Sequence, residues 1–391
     1  MTRKKILYVS DLNMGGANSA DQAVPRSGYC NIAIELCRRL SKNNDIYILG
    51  LGYTGQEHFD PFPIIPCNNL QDVVANAAAL KQAVGAEYVI VAMDIHQYQE
   101  AIYPLMRQIG LKYICITPLE SDPLCLSWAH LLKDMDKVFF ISQFGTDEAI
   151  KQGVNAEHIE IGIDTTSWRM RTKEEYQAIR SNLGYDPEDF VIITVADNQE
   201  RKNLGVGFEI IAMLKKRGVS VKHILVTREH SSVGWKIPDL AYELGISSDY
   251  RVFNNGIPFA DLFMLYCASD AYLCCSQGEG LGIPLMESMS IGIPVVANQT
   301  GAIPELLSDE RGWIVPPSYS YPNPFGNQNR YHINKEAAVE ALLEVYNNRK
   351  KVDNVIVRAR DFMETRNWEK PAKQIEDALD EISNNENRET I

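Results

Sequence analysis

Short runs of β-branched and other apolar residues alternate along the chain with longer amphipathic stretches. This alternation is typical of parallel sheets whose strands are connected by helices. A first series of apolar runs predicts strands at residues 6–9, 46–49, 88–92, 113–116 and 138–141, with a helix at residues 32–40. A second series predicts strands at residues 190–195, 223–226, 251–253, 272–274 and 295–297. The pattern therefore predicts an α/β protein with two doubly wound, Rossmann-like domains.

Length and composition agree with two globular domains. A chain of 391 residues is too long for one ordinary core, and two domains of roughly 150–200 residues each are expected. No apolar run approaches the roughly 20 residues that a membrane span needs, and the N-terminus continues directly into the first strand. The eight cysteines include no Cys-x-x-Cys pair, so we expect reduced core residues of a cytoplasmic protein.

The net charge of −13 bears on the partners of the protein. A nucleic-acid-binding protein normally shows a basic excess or a basic patch, and neither is evident here. A clear basic amphipathic helix of the kind that binds membrane surfaces is also not evident. The sequence therefore argues against a nucleic-acid partner and does not indicate membrane association.

The segment from residue 279 to residue 287 is the most informative part of the sequence. It reads Glu-Gly-Leu-Gly-Ile-Pro-Leu-Met-Glu, follows an apolar run that predicts a strand, and continues into a predicted helix that ends at Gly292. A strand, a glycine-rich turn and a helix N-terminus place free backbone N–H groups together, which suits a phosphate. The carboxylates of Glu279 and Glu287 cannot bind that phosphate, so sugar hydroxyls are the candidate ligands.

In this segment the chain resembles the retaining glycosyltransferases of the GT-B fold, specifically glycosyltransferase family 4, also called glycosyl transferases group 1. The signature of that family is two glutamates separated by seven residues around a Gly-(Leu/Phe)-Gly core. The matching residues are Glu279, Gly280, Leu281, Gly282 and Glu287. Residues 292–297 and 301–305 are also similar to the family. The resemblance implies two Rossmann-like domains that face a cleft, and a C-terminal helix that crosses back to the N-terminal domain.

The domain boundaries follow from the same resemblance. Residues 161–165, followed by Trp168, are similar to the stretch that marks the interdomain crossing in the family. We therefore expect an acceptor-binding domain at residues 1–164, a nucleotide-sugar-binding domain at residues 165–367 and a returning C-terminal helix at residues 368–391. Residues 316–331, which are rich in Asn, Pro and Tyr, are expected to be a surface loop or an insertion.

The resemblance assigns the donor-binding residues. Glu287 would bind the ribose hydroxyls and Glu279 the hydroxyls of the transferred sugar, while the diphosphate would contact the backbone of Gly280, Leu281 and Gly282. A second donor element contains Arg201, Lys202 and Asn203, and its cations would stabilise the charge of the leaving diphosphate.

Lys202 matches the lysine of the family, but residues 196–198 replace an upstream Gly-Arg pair, so Arg201 is our candidate for the part of the arginine. Val252 and Phe253, at a strand end, would receive the nucleobase. Nothing in the sequence selects uracil, guanine or adenine.

The N-terminal domain would hold the acceptor. Gly28 and Tyr29 follow a long polar loop at residues 11–25, and Gly28 would approach the donor phosphate or the reacting centre. A histidine of the family that contacts the transferred sugar corresponds to either Asp94 or His96, because the register is ambiguous. Glu120 and Asp122 would bind or polarise an acceptor hydroxyl, although Asp122 before a proline also fits an ordinary turn.

We therefore expect a metal-independent retaining hexosyltransferase that uses a UDP-, GDP- or ADP-sugar and a saccharide, protein or small-molecule acceptor. No cofactor is expected, and a homo-oligomer is possible. Two alternatives remain open: a non-catalytic subunit that binds nucleotide sugar or scaffolds a partner, and another nucleotide-sugar enzyme such as an epimerase. A nicotinamide dehydrogenase is disfavoured, because the first strand is not followed by Gly-x-Gly-x-x-Gly.

Overall fold

The apolar runs of the sequence form two parallel sheets, and each sheet belongs to its own structural unit. The computed structural model describes residues 3–12, 28–254 and 256–389. The first unit comprises Met1–Gly162 together with Asn367–Ile391, and the second comprises Ile163–Arg366. The chain passes from the first unit to the second at residues 162–163 and returns at residues 366–367.

The first unit contains a sheet flanked by helices. Its strands are β1 (Lys5–Asp11), β2 (Asp45–Leu51), β3 (Ile64–Cys67), β4 (Tyr88–Ala92), β5 (Lys112–Thr117), β6 (Lys137–Phe140) and β7 (Ala156–His158). They form one parallel sheet in the order β3-β2-β1-β4-β5-β6-β7. The helices of this unit that precede the second unit in the sequence are α1 (Gly28–Leu40), α2 (Leu70–Val84), α3 (Glu100–Ile109), α4 (Leu126–Lys133) and α5 (Gln143–Lys151). A π-helical turn at Ile95–Gln99 precedes α3.

The second unit repeats this organisation. Its strands are β8 (Phe190–Val195), β9 (Val221–Val226), β10 (Tyr250–Phe253), β11 (Ala271–Cys274), β12 (Val295–Asn298), β13 (Trp313–Val315), β14 (Pro317–Pro322) and β15 (Asn329–Ile333). The first six form a parallel sheet in the order β10-β9-β8-β11-β12-β13. Its helices are α6 (Lys173–Asn182), α7 (Leu204–Lys216), α8 (Ile237–Glu243), α9 (Phe259–Cys267), α10 (Ile283–Ile291), α11 (Ile303–Leu307), α12 (Lys335–Asn347) and α13 (Arg349–Thr365).

Strands β14 and β15 form an antiparallel hairpin, hereafter the hairpin. Of the two expectations for residues 316–331, a surface loop was wrong for residues 317–322 and 329–331, which form strands, while an insertion stays a prediction. The prolines that bound β14 obscured the strand in the sequence, because proline is depleted in strands. The alternation of serine and tyrosine at residues 318–321 is the period-two signal that would have revealed it.

The last helix, α14 (Glu369–Glu389), belongs to the first unit although it follows the second in sequence. Arg39 Nε of α1 donates to Glu369 Oε1 at 3.0 Å, and Gln374 Nε2 donates to the backbone oxygen of His158 at 2.9 Å. The C-terminal helix thus returns to the N-terminal unit, as the resemblance implied. No helix within the described residues is long and apolar enough to cross a bilayer.

Candidate active site

The strand order of the second sheet reverses between β8 and β11, which are neighbours although they are not consecutive in sequence. In open α/β sheets, ligands bind at such a reversal, outside the carboxyl ends of the strands. Two loops meet there in this chain. We call residues 196–203, which follow β8, the lysine loop, and residues 275–282, which follow β11, the glutamate loop.

An ion pair joins the two loops. Lys202 Nζ of the lysine loop donates to Glu279 Oε2 of the glutamate loop at 2.7 Å. Arg201 Nη1 lies 3.7 Å from the same oxygen and donates to the backbone oxygen of Gly278 at 2.5 Å. The structure thus brings together three of the residues that the sequence assigned to the donor site.

The charge of Glu279 is set by two opposing effects. Burial acts to raise the pKa of the Glu279 carboxyl, because it removes water from the charged form. The positive charges of Lys202 and then Arg201 act in the other direction and prevail, so the pKa of Glu279 lies below its ordinary value. Glu279 is therefore a fixed anion that accepts hydrogen bonds at neutral pH.

The turn between the two glutamates has the geometry that its glycines suggested. Gly282 has a φ of 90°, which side-chain-bearing residues rarely adopt, and it directly precedes the first residue of α10. A recess beside this helix N-terminus is lined by residues of β8, β11 and both loops, Lys202 and Glu279 among them. Pro284 has no N–H, and the N–H groups of Leu285 and Met286 donate to the oxygen of Gly282 at 2.9 and 3.2 Å, so the backbone donors that this turn could offer a ligand are those of residues 280–283.

Glu287 occupies a different environment from Glu279. It lies in the second turn of α10 with only 7% of its surface exposed, and Tyr266 Oη of α9 donates to Glu287 Oε2 at 2.8 Å. Burial raises the pKa of Glu287 to about 7, and the Tyr266 hydrogen bond only partly opposes this rise. One glutamate of the motif is thus ionised at neutral pH, while the other keeps its proton to a higher pH than an ordinary glutamate does.

Residues 196–198, which replace the Gly-Arg pair of the resembled family, include an aspartate that forms an ion pair. Arg228, which follows β9, donates from Nε and Nη2 to the two carboxylate oxygens of Asp197, each at 2.6 Å. Burial acts to raise the pKa of Asp197, but the hydrogen bonds from Arg228 and Gln199 lower it overall. The lysine loop therefore carries an aspartate that binds an arginine from the neighbouring strand end. Sequence reasoning missed Arg228, and the acidic residue at position 197 was the signal for it.

The remaining residues predicted to bind the donor lie at two other positions of the second unit, the start of α7 and strand β10. Asn203 ends the lysine loop in the left-handed region with a φ of 53° and is buried at the start of α7. Val252 and Phe253 lie on β10, the edge strand, two strands away from β8. Since neighbouring strands are about 4.8 Å apart, roughly 10 Å separates β10 from β8. A ligand would have to extend across β9 to contact both.

In the first unit, two predicted residues are in direct contact. Tyr29 Oη, in the first turn of α1, donates to Asp94 Oδ1 at 2.6 Å. His96 lies in the π-helical turn, and its ring centroid is 6.4 Å from that of Trp128. Gly28 begins α1, but the loop expected to bring it to a phosphate lies mostly at residues 13–27, outside the described residues.

Gln99, which the sequence did not single out, fixes the segment after β4. Its side-chain amide donates to the backbone oxygens of Val91 and Met93, each at 3.0 Å, and its oxygen accepts from Tyr113 Oη at 2.6 Å. Glu120 and Asp122 follow β5, the strand beside β4, so they lie at the same sheet edge as Asp94. Asp94 and His96 thus follow β4, and Glu120 and Asp122 follow the adjacent strand β5.

Comparison with known proteins finds a family model that matches a part of the second unit. Residues 175–321 match the family model described as Glycosyl transferases group 1. A putative colanic acid biosynthesis glycosyltransferase, WcaL of Escherichia coli, is 32% identical over 133 residues, which is 32% of each chain. A D-inositol 3-phosphate glycosyltransferase of Corynebacterium kroppenstedtii is 28% identical over 205 residues, 50% of this chain and 45% of that protein. The chain spans about a third to a half of the length of these relatives.

Solved structures extend the similarity over the whole chain. The crystal structure of HepE from Anabaena, in complex with UDP and glucose, gives a TM-score of 0.72 at 16% identity, covering 97% of this chain and 100% of that one. At this identity the match concerns the fold alone. The α/β fold class with two Rossmann-like domains is thus confirmed, and residues 175–321 match the family model of the glycosyl transferases group 1.

Proposed function

We propose that this chain is a retaining glycosyltransferase that moves a hexose from a nucleotide diphosphate sugar to an acceptor hydroxyl. The observation that carries the proposal is the Lys202–Glu279 ion pair, which lies at the strand-order reversal beside the N-terminus of α10. A cation and backbone N–H groups suit a diphosphate, and a buried, ionised carboxylate suits sugar hydroxyls. The family match of residues 175–321 and the UDP and glucose bound by HepE support the same assignment.

Each donor-side residue has a defined task in this proposal. The bond to Glu279 uses one of the three N–H donors of the Lys202 ammonium, so the others can contact the leaving diphosphate. Gly280, Leu281 and Gly282 provide backbone contacts to that diphosphate. Glu279 accepts hydrogen bonds from the transferred sugar, and Glu287 accepts them from the ribose. Arg201 holds the glutamate loop through Gly278 and adds positive charge, and Val252 and Phe253 receive the base.

The acceptor belongs to the first unit in this proposal. Either Asp94, oriented by Tyr29, or His96 contacts the transferred sugar, while Glu120 and Asp122 bind the acceptor hydroxyl. Attack occurs on the face that the diphosphate leaves, and the departing phosphate oxygen takes the proton of the acceptor. The bond from the anomeric carbon to the phosphate oxygen breaks, and a bond to the acceptor oxygen forms, with retention. We propose a cytoplasmic enzyme that requires no divalent ion for this step.

The proposal predicts slow hydrolysis of one donor in the absence of any acceptor. The protein would be incubated separately with UDP-, GDP- and ADP-hexoses, and release of the nucleoside diphosphate would be measured. We expect release from one of the three nucleotides, since the leaving-group contacts are complete without an acceptor. A non-catalytic subunit would bind a donor without releasing its nucleotide, and an epimerase would return a donor with an inverted sugar. Either result would contradict the proposal.

A further inference from the structure

The hairpin is bonded to both loops of the proposed donor site. His332 Nδ1 of β15 lies 3.3 Å from Gln277 Nε2 in the glutamate loop and 3.5 Å from Asn203 Nδ2 in the lysine loop. Gln277 is two residues before Glu279, and Asn203 directly follows Lys202. One imidazole nitrogen therefore bridges the two segments that carry the ion pair.

The surroundings of Gln277 decide the direction of these bonds. Tyr321 Oη of β14 donates to Gln277 Oε1 at 3.2 Å, and the amide nitrogen, which can only donate, faces His332. The backbone of Gln277 is also held, because its N–H donates to the oxygen of Arg201 at 2.8 Å and its oxygen accepts from the N–H of Tyr331 at 3.0 Å. Two amide donors thus face Nδ1, which must accept, and the ring proton lies on Nε2.

The hairpin also fixes the plane and the charge of the His332 ring. Tyr319 stacks on it with ring centroids 4.8 Å apart and an interplanar angle of 21°. Burial and then the nearby Lys335 lower the pKa of His332, while Glu209 acts in the opposite direction. The ring is consequently neutral at pH 7, which is the form in which Nδ1 can accept.

We propose that His332 is a positioning residue of the donor site, and that the hairpin acts through it. By accepting from Gln277 and Asn203, the neutral ring holds the lysine loop and the glutamate loop at the separation that the Lys202–Glu279 contact requires. This inference rests on the proposed function for its catalytic meaning, whereas the bridge itself can be tested without a substrate. Protonation of His332 turns its acceptor into a donor that faces two donors, and the bridge opens.

Two substitutions separate an acceptor role from simple packing. His332→Asn keeps an acceptor near the position of Nδ1, whereas His332→Leu keeps bulk without an acceptor. The matched control is Ser318→Ala, since the Ser318 hydroxyl is exposed and donates to the backbone oxygen of His332 at 3.1 Å, away from the imidazole ring. With the nucleotide-release assay, we expect His332→Leu to lose roughly 10- to 100-fold in kcat, the scale of a small misplacement of catalytic groups. His332→Asn should regain most of that loss, and the control should match the wild type.

The pH dependence of the nucleotide-release rate is a second test of the positioning role of His332. As pH falls below 6.5, the ordinary pKa of histidine, protonation of His332 should lower the wild-type rate but not that of His332→Asn. The ratio of the two rates is the quantity to follow, because titration of Glu287 affects both proteins and cancels. Equal rates of the Asn and Leu variants, or a ratio independent of pH, would overturn the positioning role.

Backbone amide hydrogen exchange of the ligand-free protein tests the bridge formed by His332 without any measurement of activity. We expect faster exchange in residues 196–203 and 275–282 of His332→Leu than in the wild type or Ser318→Ala. Unchanged exchange in both loops would overturn the bridge, whatever the assay shows. Faster exchange in a protein that releases no nucleotide from any donor would support the bridge and overturn the proposed function instead.

Discussion

Replacing Lys202 with alanine is expected to reduce transfer by a factor on the order of 10³, the scale measured for loss of one preorganised group that stabilises developing charge. The variant removes the cation that would face the leaving diphosphate. It also leaves the buried Glu279 carboxylate with Arg201 at 3.7 Å as its nearest cation in the described part of the chain. Nucleotide release with the preferred donor is the measurement.

Two further variants separate catalysis from folding in this experiment. Lys202→Ala combined with Glu279→Gln removes the uncompensated buried charge, so it should recover thermal stability without recovering activity. Lys351→Ala breaks a more exposed ion pair of the same 2.7 Å length, with Glu344, between α12 and α13 and should keep full activity. Normal turnover by Lys202→Ala would contradict the assignment of the site.

Replacing Glu287 with glutamine is expected to stabilise the ligand-free protein at pH 8 while weakening donor binding. Burial raises the pKa of Glu287 in the folded protein to about 7, above its ordinary value of 4.5. The folded state therefore binds this proton more tightly than the unfolded state does. The stability that the group contributes is fully present below pH 4.5 and is lost as pH rises through 7. A difference of this size corresponds to about 3 kcal/mol.

The Gln variant should thus unfold with a free energy up to about 3 kcal/mol higher at pH 8 than the wild type, and this difference should disappear towards pH 4. Urea unfolding of both proteins across this pH range is the measurement. Glu344→Gln is a control for which the change in the free energy of unfolding at pH 8 should have the opposite sign. Hydrogen bonds from Lys351 and then Trp313 lower the pKa of Glu344, so its ionised form stabilises the folded protein. Donor affinity should fall by roughly 10- to 100-fold in Glu287→Gln, the value of a hydrogen bond to a charged group. The account would be refuted if the free energy of unfolding of Glu287→Gln, measured relative to the wild type, were lower at pH 8 than at pH 4.

Much of the fold could be predicted because buried parallel strands have a simple sequence pattern. Strand β8 was predicted with its observed ends, and the central strands β4, β11 and β12 are buried at every residue, which produces continuous apolar runs. The strands that escaped prediction are short or lie at sheet edges. Strand β3 contains a proline, and β7 and β13 have only three residues each, too few for a periodic signal.

The candidate site was predictable where its residues lie in one contiguous segment. Glu279, the glycines and Glu287 share a single motif, and Lys202 follows directly from a predicted strand. The partners of these residues come from elsewhere in the chain and carry no local signal. Tyr266 is 21 residues from Glu287, Arg228 is 31 residues from Asp197, and His332 is 129 residues from Asn203. Only the packing of β9, α9 and the hairpin onto the loops brings these partners into contact.

The measurement that tests the central claim most directly is thermal unfolding with UDP-, GDP- and ADP-sugars, for the wild type and for Glu287→Ala. A ligand present at 100 times its dissociation constant stabilises the folded state by about 2.7 kcal/mol. We predict such a shift with one nucleotide sugar in the wild type and its loss in Glu287→Ala. If none of the nucleotide sugars stabilises the wild type, or if the variant is stabilised equally, the carboxyl edge of the second sheet is not a nucleotide-sugar site.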